Sequence, residues 1–298
     1  MIRINPNSTP DMLNLLSQTQ QREQQALQQL ASGRRVNAPS DDPAAEATMI
    51  GLQAQAMDND QFTRNISGVQ QQLNTADSTL NSVVTALTRA STLGVQGANG
   101  TMSAADRAAI ANDVQGIKDQ VLSLANTSFH GNYLFSGTVA NKPPYVADAT
   151  KASGISYQGN DSVDSVPVGE RRSVAVNQPG SAIFNKAGAD VFSALQSLMD
   201  GLKSNDASAI ATANNAVNAA FNQVTSARVF YGNTMNQLTA ESTVLQSQST
   251  QIASQQNSAV GADLAATATT LSQAQLAHQA TLEAIAKVSG MSLLDYLR

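Results

Sequence analysis

The residues best able to do chemistry are few, and they fall in two places. Arg34 and Arg35 precede Asp41 and Asp42 in a short stretch opened by Gly33, which also holds Asn37, Pro39 and Ser40. Two guanidinium groups and two carboxylates so close together can pair with one another or with carboxylates of another chain. Exposed pairs contribute only ~0–1 kcal/mol each, so such a cluster would set register more than affinity. The plainer reading of the same residues is a helix stop, a linker and a helix cap. The second place is the pair of histidines. His130 stands before Gly131 with no acid cluster nearby, and His278 has no second ligand three or four residues away. With two histidines, no cysteine and no glycine-rich phosphate loop after a strand, metal and nucleophilic chemistry have little support. No catalytic residue, metal ligand or cofactor is assigned, and no enzymatic activity is expected.

Composition points the same way. The 298 residues suffice for two or three domains, and they are 42% hydrophobic but only 4% aromatic and 13% charged. Ala, Gln, Ser, Asn and Thr make up the bulk, with Leu and Val as apolar anchors. Ala, Leu and Gln favour helix, so long helices with thin, Ala-rich seams are the expected product. A net charge of -5 and a pI near 4.9 argue against a nucleic-acid surface, which needs clustered Lys and Arg. Absence of cysteine excludes a disulfide framework and suits a chain that must unfold and cross compartments. The first ten residues hold no apolar run of signal-peptide type, and no stretch of about 20 apolar residues could span a membrane.

Helical patterning dominates the elements that would carry these groups. A first helix is predicted from Thr9 to Ala31, stopped by Gly33. Its stripe is Leu13, Leu16, Gln20, Glu23, Leu27 and Leu30. Near the other end, Leu264, Ala268, Leu271, Gln275, His278, Leu282 and Ile285 repeat the alternating three-and-four spacing, in a helix predicted to end near Gly290. Such stripes want a partner helix along their length. Both are interrupted by polar residues. A few leucines at ~1.5–3 kcal/mol each barely offset ~1–2 kcal/mol of backbone ordering per residue. Roughly the first 40 and last 40 residues are therefore expected to be disordered until neighbours surround them.

Between the ends, Asp42-Pro43 is a strong helix start, opening a long helix with the seam Phe62, Ile66, Val69, Leu73, Ala76, Leu80, Val83, Leu87 and Ala90. Gly94, Gly97 and Gly100 read as its end. Ser103 with Asp106 reads as a capping box for the next helix, whose face is Ile110, Val114, Ile117, Val121 and Leu124. Composition then changes. Aromatics, prolines and turn signals gather from Phe129 to about Phe184, with strands expected at Asn132–Phe135, Gly154–Gln158 and Ser173–Val176, and a tight turn at Gly159-Asn160-Asp161. Helix returns at Asp190, and a second long one from about Asp206 has the seam Ile210, Val217, Phe221, Val224, Tyr231, Met235, Leu238, Leu245 and Ile252. Arg228, at an intervening seam position, could specify register or simply snorkel to solvent. Gly261 breaks this helix before the last.

The expected fold is thus mainly α: a long antiparallel helical bundle or coiled coil formed by both chain ends, with a small β-rich domain inserted in the middle. Residues 1–42 and 256–298 are expected to be terminal helices for assembly. Residues 43–128 with 186–255 would form the helical core, and 129–185 a compact β-rich insert facing outward and folding apart from the helices.

Several stretches go beyond pattern. Leu30-Ala31-Ser32-Gly33-Arg34-Arg35-Val36-Asn37, followed by Asp41-Asp42-Pro43-Ala44, resembles the N-terminal signature shared by flagellins and flagellar hook-associated proteins. The tail from Asp263 through Leu264, Ala265, Leu271, Gln275, Leu282 and Ile285 resembles their C-terminal signature. Gly131-Asn132-Tyr133-Leu134-Phe135-Ser136-Gly137-Thr138 is similar to a segment typical of the hook-associated protein 3 subfamily, and Ser292-Leu293-Leu294-Asp295-Tyr296-Leu297 agrees with its ending. Gly261-Ala262 departs from the family, which often carries an acidic or bulkier residue there. The departure bears on the local helix boundary.

The resemblance implies a structural subunit of the bacterial flagellum, exported through the flagellar type III apparatus to an extracellular hook–filament junction. It implies an assembly interface at Leu13, Leu16, Leu27, Leu30, Leu264, Leu271, His278, Leu282 and Ile285. Arg34, Arg35, Asn37, Asp41 and Asp42 would form a spoke between inner and outer parts. The implied partners are the other hook-associated junction protein (FlgK type), flagellin, further copies of the chain in a ring, and an export chaperone before secretion, with no nucleic acid and no membrane. A flagellin-type filament subunit is the nearest alternative. The segment after the third helix speaks against it, since flagellins usually carry a different one. A secreted adhesin is further off, because the insert is small for a receptor-binding module. A type III translocator would need a long apolar membrane segment.

Overall fold

A computed structural model describes residues 8–296, with side chains from residue 10 to residue 287. Leu297 of the Ser292–Leu297 motif lies outside the described residues, and the side chains of the rest of that motif lie outside the described ones. The chain folds as two compact units, one of residues 1–58 with 247–298 and the other of residues 59–246. The divisions fall inside the two longest helices.

The first unit contains α1 (Ser8–Ser32), the loop after it, the start of α2 (Pro43–Gly97), the end of α6 (Ala207–Val260) and α7 (Leu264–Tyr296). α1 ends where expected, at Gly33 with φ +67°. α7 runs past Gly290, which a single helical glycine does not stop. α1 and α7 pack antiparallel.

The second unit is built on α2 from Asn59, α3 (Ala104–Ala125), α4 (Gly180–Phe184), α5 (Val191–Lys203) and α6 up to Gln246. α2 and α6 run antiparallel here, tied by Ser91 Oγ donating to Asn218 Oδ1 at 2.9 Å and by Arg228 on Asp77. The seam predicted from the spacing is the core: Ile66, Val69, Leu73, Leu80, Val83, Leu87, Val217, Val224, Tyr231 and Leu238 are all buried. The Ser103–Asp106 capping box is present, and Asp190 caps α5 by accepting from Ser193 N at 2.7 Å. Gly94 and Gly97 lie within α2, contrary to their reading as a helix end. A Cβ on Gly97 would collide with the Leu202 side chain, so glycine there permits close approach of α5.

The β-rich stretch holds three separate antiparallel pairs: β1 (Ser128–Phe129) with β2 (Asn132–Tyr133), β3 (Tyr145–Ala147) with β4 (Ile155–Tyr157), and β5 (Ser165–Gly169) with β6 (Arg172–Ala175). His130 and Gly131 are the two turn residues of the first hairpin, with φ +51° and +85°, as a two-residue turn of this kind requires. That gives His130 a structural role. Gly159–Asp161 is no hairpin turn, because β4 and β5 belong to different pairs; the segment crosses between hairpins and is held by Asn160, whose side chain bonds Thr138.

The expectation that this stretch folds apart from the helices is overturned by its packing. Phe135, Tyr145, Ile155, Val168 and Val176 are buried in one continuous apolar cluster with α2, α3, α5 and α6. Ring centroids of Phe135 and Phe184 lie 5.4 Å apart, and those of Tyr145 and Phe192 lie 5.1 Å apart. The third hairpin is pinned to both long helices. Asn65 donates to the Pro167 carbonyl at 2.9 Å, and Arg172 pairs with Glu241. Isolated pairs of such short strands cannot bury a face of their own, so they use the helices'.

Candidate assembly interface

Two features of the first unit bear on assembly: the face that α1 and α7 present to each other, and the loop between α1 and α2. The inward positions on α1 are Leu16, Thr19, Glu23 and Ala26. On α7 they are Thr267, Leu271, Ala274, His278, Thr281 and Ile285, a strict four-three alternation. Of the residues expected from the sequence, Leu16, Leu271, His278 and Ile285 are half-buried along this seam. Leu13, Leu27, Leu30, Leu264 and Leu282 are not; Leu13 is 58% exposed, Leu27 45% and Leu282 47%. The predicted stripe on α1 was therefore turned to one flank of the true seam. Small Ala and Thr side chains let the backbones approach closely, and the leucines stay outside. Treating Thr19, Ala26, Thr267, Ala274 and Thr281 as seam residues would have given the right face. Leu15 and Leu276 lie outside both predicted stripes, and Leu276 is 70% exposed on the outer side of α7.

The loop from Gly33 to Asp42 is stitched to the break between α6 and α7. Arg35 N donates to the Val260 carbonyl at 2.7 Å, and Ala262 N donates to the Gly33 carbonyl at 3.0 Å. Arg34 and Gly261 form an antiparallel bridge between these bonds. A Cβ at Gly261 would collide with the Asn257 carbonyl and side chain, which accounts for glycine at the helix boundary.

Within the loop the charges divide their work. Arg35 Nη2 donates to Asp42 Oδ2 at 3.0 Å and to the Ala259 carbonyl at 3.1 Å. Asp42 Oδ1 accepts from Ala45 N at 3.0 Å, capping α2. Asp41 Oδ2 accepts from Asn37 N at 3.0 Å and Ala38 N at 2.9 Å, while Asn37 Nδ2 donates to the Arg34 carbonyl at 2.9 Å. Backbone N–H donors hold the Asp41 carboxyl below its ordinary range. Asp42 is lowered by the Ala45 N–H and then by Arg35. Arg34 makes no side-chain bond among the described residues and faces solvent. The loop is thus a folded joint, and its geometry offers no acid–base pair aimed at a cleft.

A cavity of about 360 Å³ lies elsewhere, in the second unit, between Gln72, His130, Tyr133, Asp164 and Asn177. Among the described residues no group of three or more His, Cys, Asp or Glu is placed to hold a metal ion, and no helix is long and apolar enough to cross a membrane.

Two family profiles match the chain. The bacterial flagellin N-terminal helical region matches residues 5–140 and the bacterial flagellin C-terminal helical region matches residues 214–297. The chain is 28% identical to flagellar hook-associated protein 3 of Escherichia coli (strain K12), over 90% of each chain. It is 34% identical to flagellar hook-associated protein 3 of Salmonella typhimurium, over 53% of this chain and 49% of that one. Among solved structures, a flagellar hook-associated protein from Vibrio parahaemolyticus superposes with a TM-score of 0.69 at 21% identity, covering 74% of this chain and all of the other. That likeness is one of fold.

Proposed function

We propose that this chain, which belongs to the flagellin and flagellar hook-associated protein superfamily and is a structural subunit of the bacterial flagellum, forms the junction between hook and filament. The similarity to hook-associated protein 3 over 90% of each chain supports the junction over the filament body. In this reading the chain adapts a hook-type lattice to a flagellin-type lattice and carries out no catalysis. Its partners are the FlgK-type junction protein, the first flagellins, further copies of itself in a ring and an export chaperone. Its place is extracellular, at the end of the type III export route.

One observation carries the assembly part. The terminal helices keep Leu13, Leu27, Leu264, Leu276 and Leu282 on their outside, while half of their mutual seam is Thr and Ala. Covering each leucine contributes up to ~1.5–3 kcal/mol, so neighbours would stabilise what the pair alone holds weakly. Before assembly the α1–α7 pair holds weakly, and limited proteolysis of a verified monomer should remove it ahead of a core near residues 45–255. Full protection of both ends would contradict this. Leu282→Asp should then leave the core's melting unchanged while flagellins are secreted without being retained. Wild-type filaments with that variant would overturn the assignment. Counting copies per flagellum separates a junction ring from the filament alternative, which needs thousands.

A further inference from the structure

We propose that the turn between α2 and α3 is a self-modification site, at which the Asn99 side chain cyclises onto the Gly100 backbone and hydrolyses to an isoaspartyl or aspartyl residue. Asn99-Gly100 is the sole Asn-Gly pair in the chain. Asn99 and Gly100 are both exposed, and a Cβ on Gly100 would meet nothing beyond its chain neighbours within 4 Å.

The hydrogen bonding of the turn favours the reaction at each of its three groups. The attacking group is the Gly100 N–H, which has no acceptor among the described residues, whereas the Asn99 N–H is engaged by the Gln96 carbonyl at 3.1 Å and the Met102 N–H by the Asn99 carbonyl at 3.2 Å. The attacked group is the Asn99 side-chain carbonyl. Its oxygen accepts from Thr101 N at 3.2 Å and from Thr101 Oγ1 at 3.0 Å. Two fixed donors on that oxygen stabilise the charge that develops there on attack. The leaving group is the Nδ2 amide, which has no partner among the described residues to hold it.

The step balances with water and hydroxide alone. Hydroxide takes the Gly100 amide proton, the nitrogen attacks Asn99 Cγ, and a C–N bond forms. The Cγ–Nδ2 bond breaks and ammonia departs with a proton from water, leaving a five-membered imide. Water then opens one of its two carbonyls. Opening at the α-carbonyl routes the main chain through Cγ and frees the α-carboxylate.

Arg107 suits that product. It is 5% exposed, and its guanidinium donates to the Gly97 carbonyl at 2.8 Å, the Asn99 carbonyl at 2.9 Å and the Asn205 side chain, all neutral acceptors. The freed α-carboxylate would carry the oxygen that Arg107 already holds, turning a neutral contact into a charge-assisted one.

The test is ageing of the intact protein at mildly alkaline pH. Peptide mass mapping and labelling by an isoaspartyl methyltransferase follow each site. Asn99 should react at least as fast in the native protein as in the same chain unfolded in urea, and faster than Asn257, whose following amide lies within α6. Gly100→Ala should lose the isoaspartyl signal, and Thr101→Val, still folded by circular dichroism, should slow it. A native rate below the unfolded rate would overturn the proposal, because the turn would then protect Asn99. So would a Thr101→Val rate equal to wild type.

Discussion

Glu23 and His278 meet at 2.9 Å, Oε2 to Nδ1, across the antiparallel pair of α1 and α7. Each side chain is 23% exposed, and the other imidazole nitrogen is buried without a partner among the described residues. No other ion pair spans this seam among the described residues, where Thr and Ala fill half of the inward positions. A polar pair at a seam position costs stability and fixes register. Replacing both by Leu should make the ends more resistant to protease in the monomer, and should impair junction assembly because the helices can then slide. Unchanged proteolysis, or full motility with the double variant, would remove the register role.

Neighbouring residues on α1 should separate folding of the pair from its assembly. Ala26 is 3% exposed in the seam, whereas Leu27 points outward. Ala26→Asp places a charge between the helices, which is strongly unfavourable unless α1 moves away. It should raise protease sensitivity of both ends. Leu27→Asp should leave monomer proteolysis unchanged and still abolish retention of flagellins. Equal proteolysis of the two variants would mean that the seam has been drawn on the wrong face.

The sequence made the second unit's helices legible because their seams combine large aliphatics with unbroken spacing. Leu73, Leu80 and Leu87 recur every seven residues and are all buried. Caps are equally readable at Asp42 and Ser103, since each needs only a local side chain and a free amide. The α1 seam was misread for a physical reason. Apolar periodicity weights Leu13 and Leu27, but a close helix pair selects small Ala26 and Thr19. The β-rich stretch was placed correctly and its independence was not. Nothing in its spacing reveals that Tyr145 and Phe135 complete a core whose other rings, Phe184 and Phe192, come from later helices.

Arg228 does not snorkel. Its Nε and Nη2 reach the two Asp77 oxygens at 2.8 and 3.1 Å, and Nη1 donates to Asn81 Oδ1 at 2.9 Å. The fork joins α6 to α2 and raises the guanidinium's already high pKa through its bond to Asp77. Since both side chains are partly exposed, Arg228→Ala should cost about 1–2 kcal/mol in a urea melt of the monomer, and Arg228→Lys should recover only part of it. A loss within error of zero would mean that the pair is screened to nothing.

The loop between α1 and α2 should respond to acid. Asp41 and Asp42 both ionise below the ordinary 3.8, so their contribution is complete above that pH and is lost as pH falls through the lower values of the folded loop. The window is strongly acidic, and nothing should change between neutrality and pH near 4. Carboxyl-carbon titration by NMR should give depressed midpoints for both. Faster amide exchange at Asn37 and Ala38 should follow Asp41 protonation, and Asp41→Asn should show that fast exchange at every pH. Ordinary midpoints would mean that the loop is open in solution.

The β-rich stretch should prove indispensable to the second unit. Replacing residues 132–185 with a Gly/Ser linker removes Phe135, Tyr145, Val168, Val176 and Phe184 from one apolar cluster, and exposes the faces of α2, α5 and α6 that they cover. The linker behaves as a flexible coil and covers none of that surface. The helical signal of the second unit should then melt at much lower temperature or lose its cooperativity. Phe184→Ala is the milder form: its ring is fully buried against Phe135, Tyr145 and Phe192, and a cavity of that kind costs about 3–5 kcal/mol. Export of the variant would report separately on the chain ends, which the substitution does not touch. If the deletion protein melts like the intact one, the aromatic cluster is ornament on a self-sufficient bundle, and the stretch is an independent module after all.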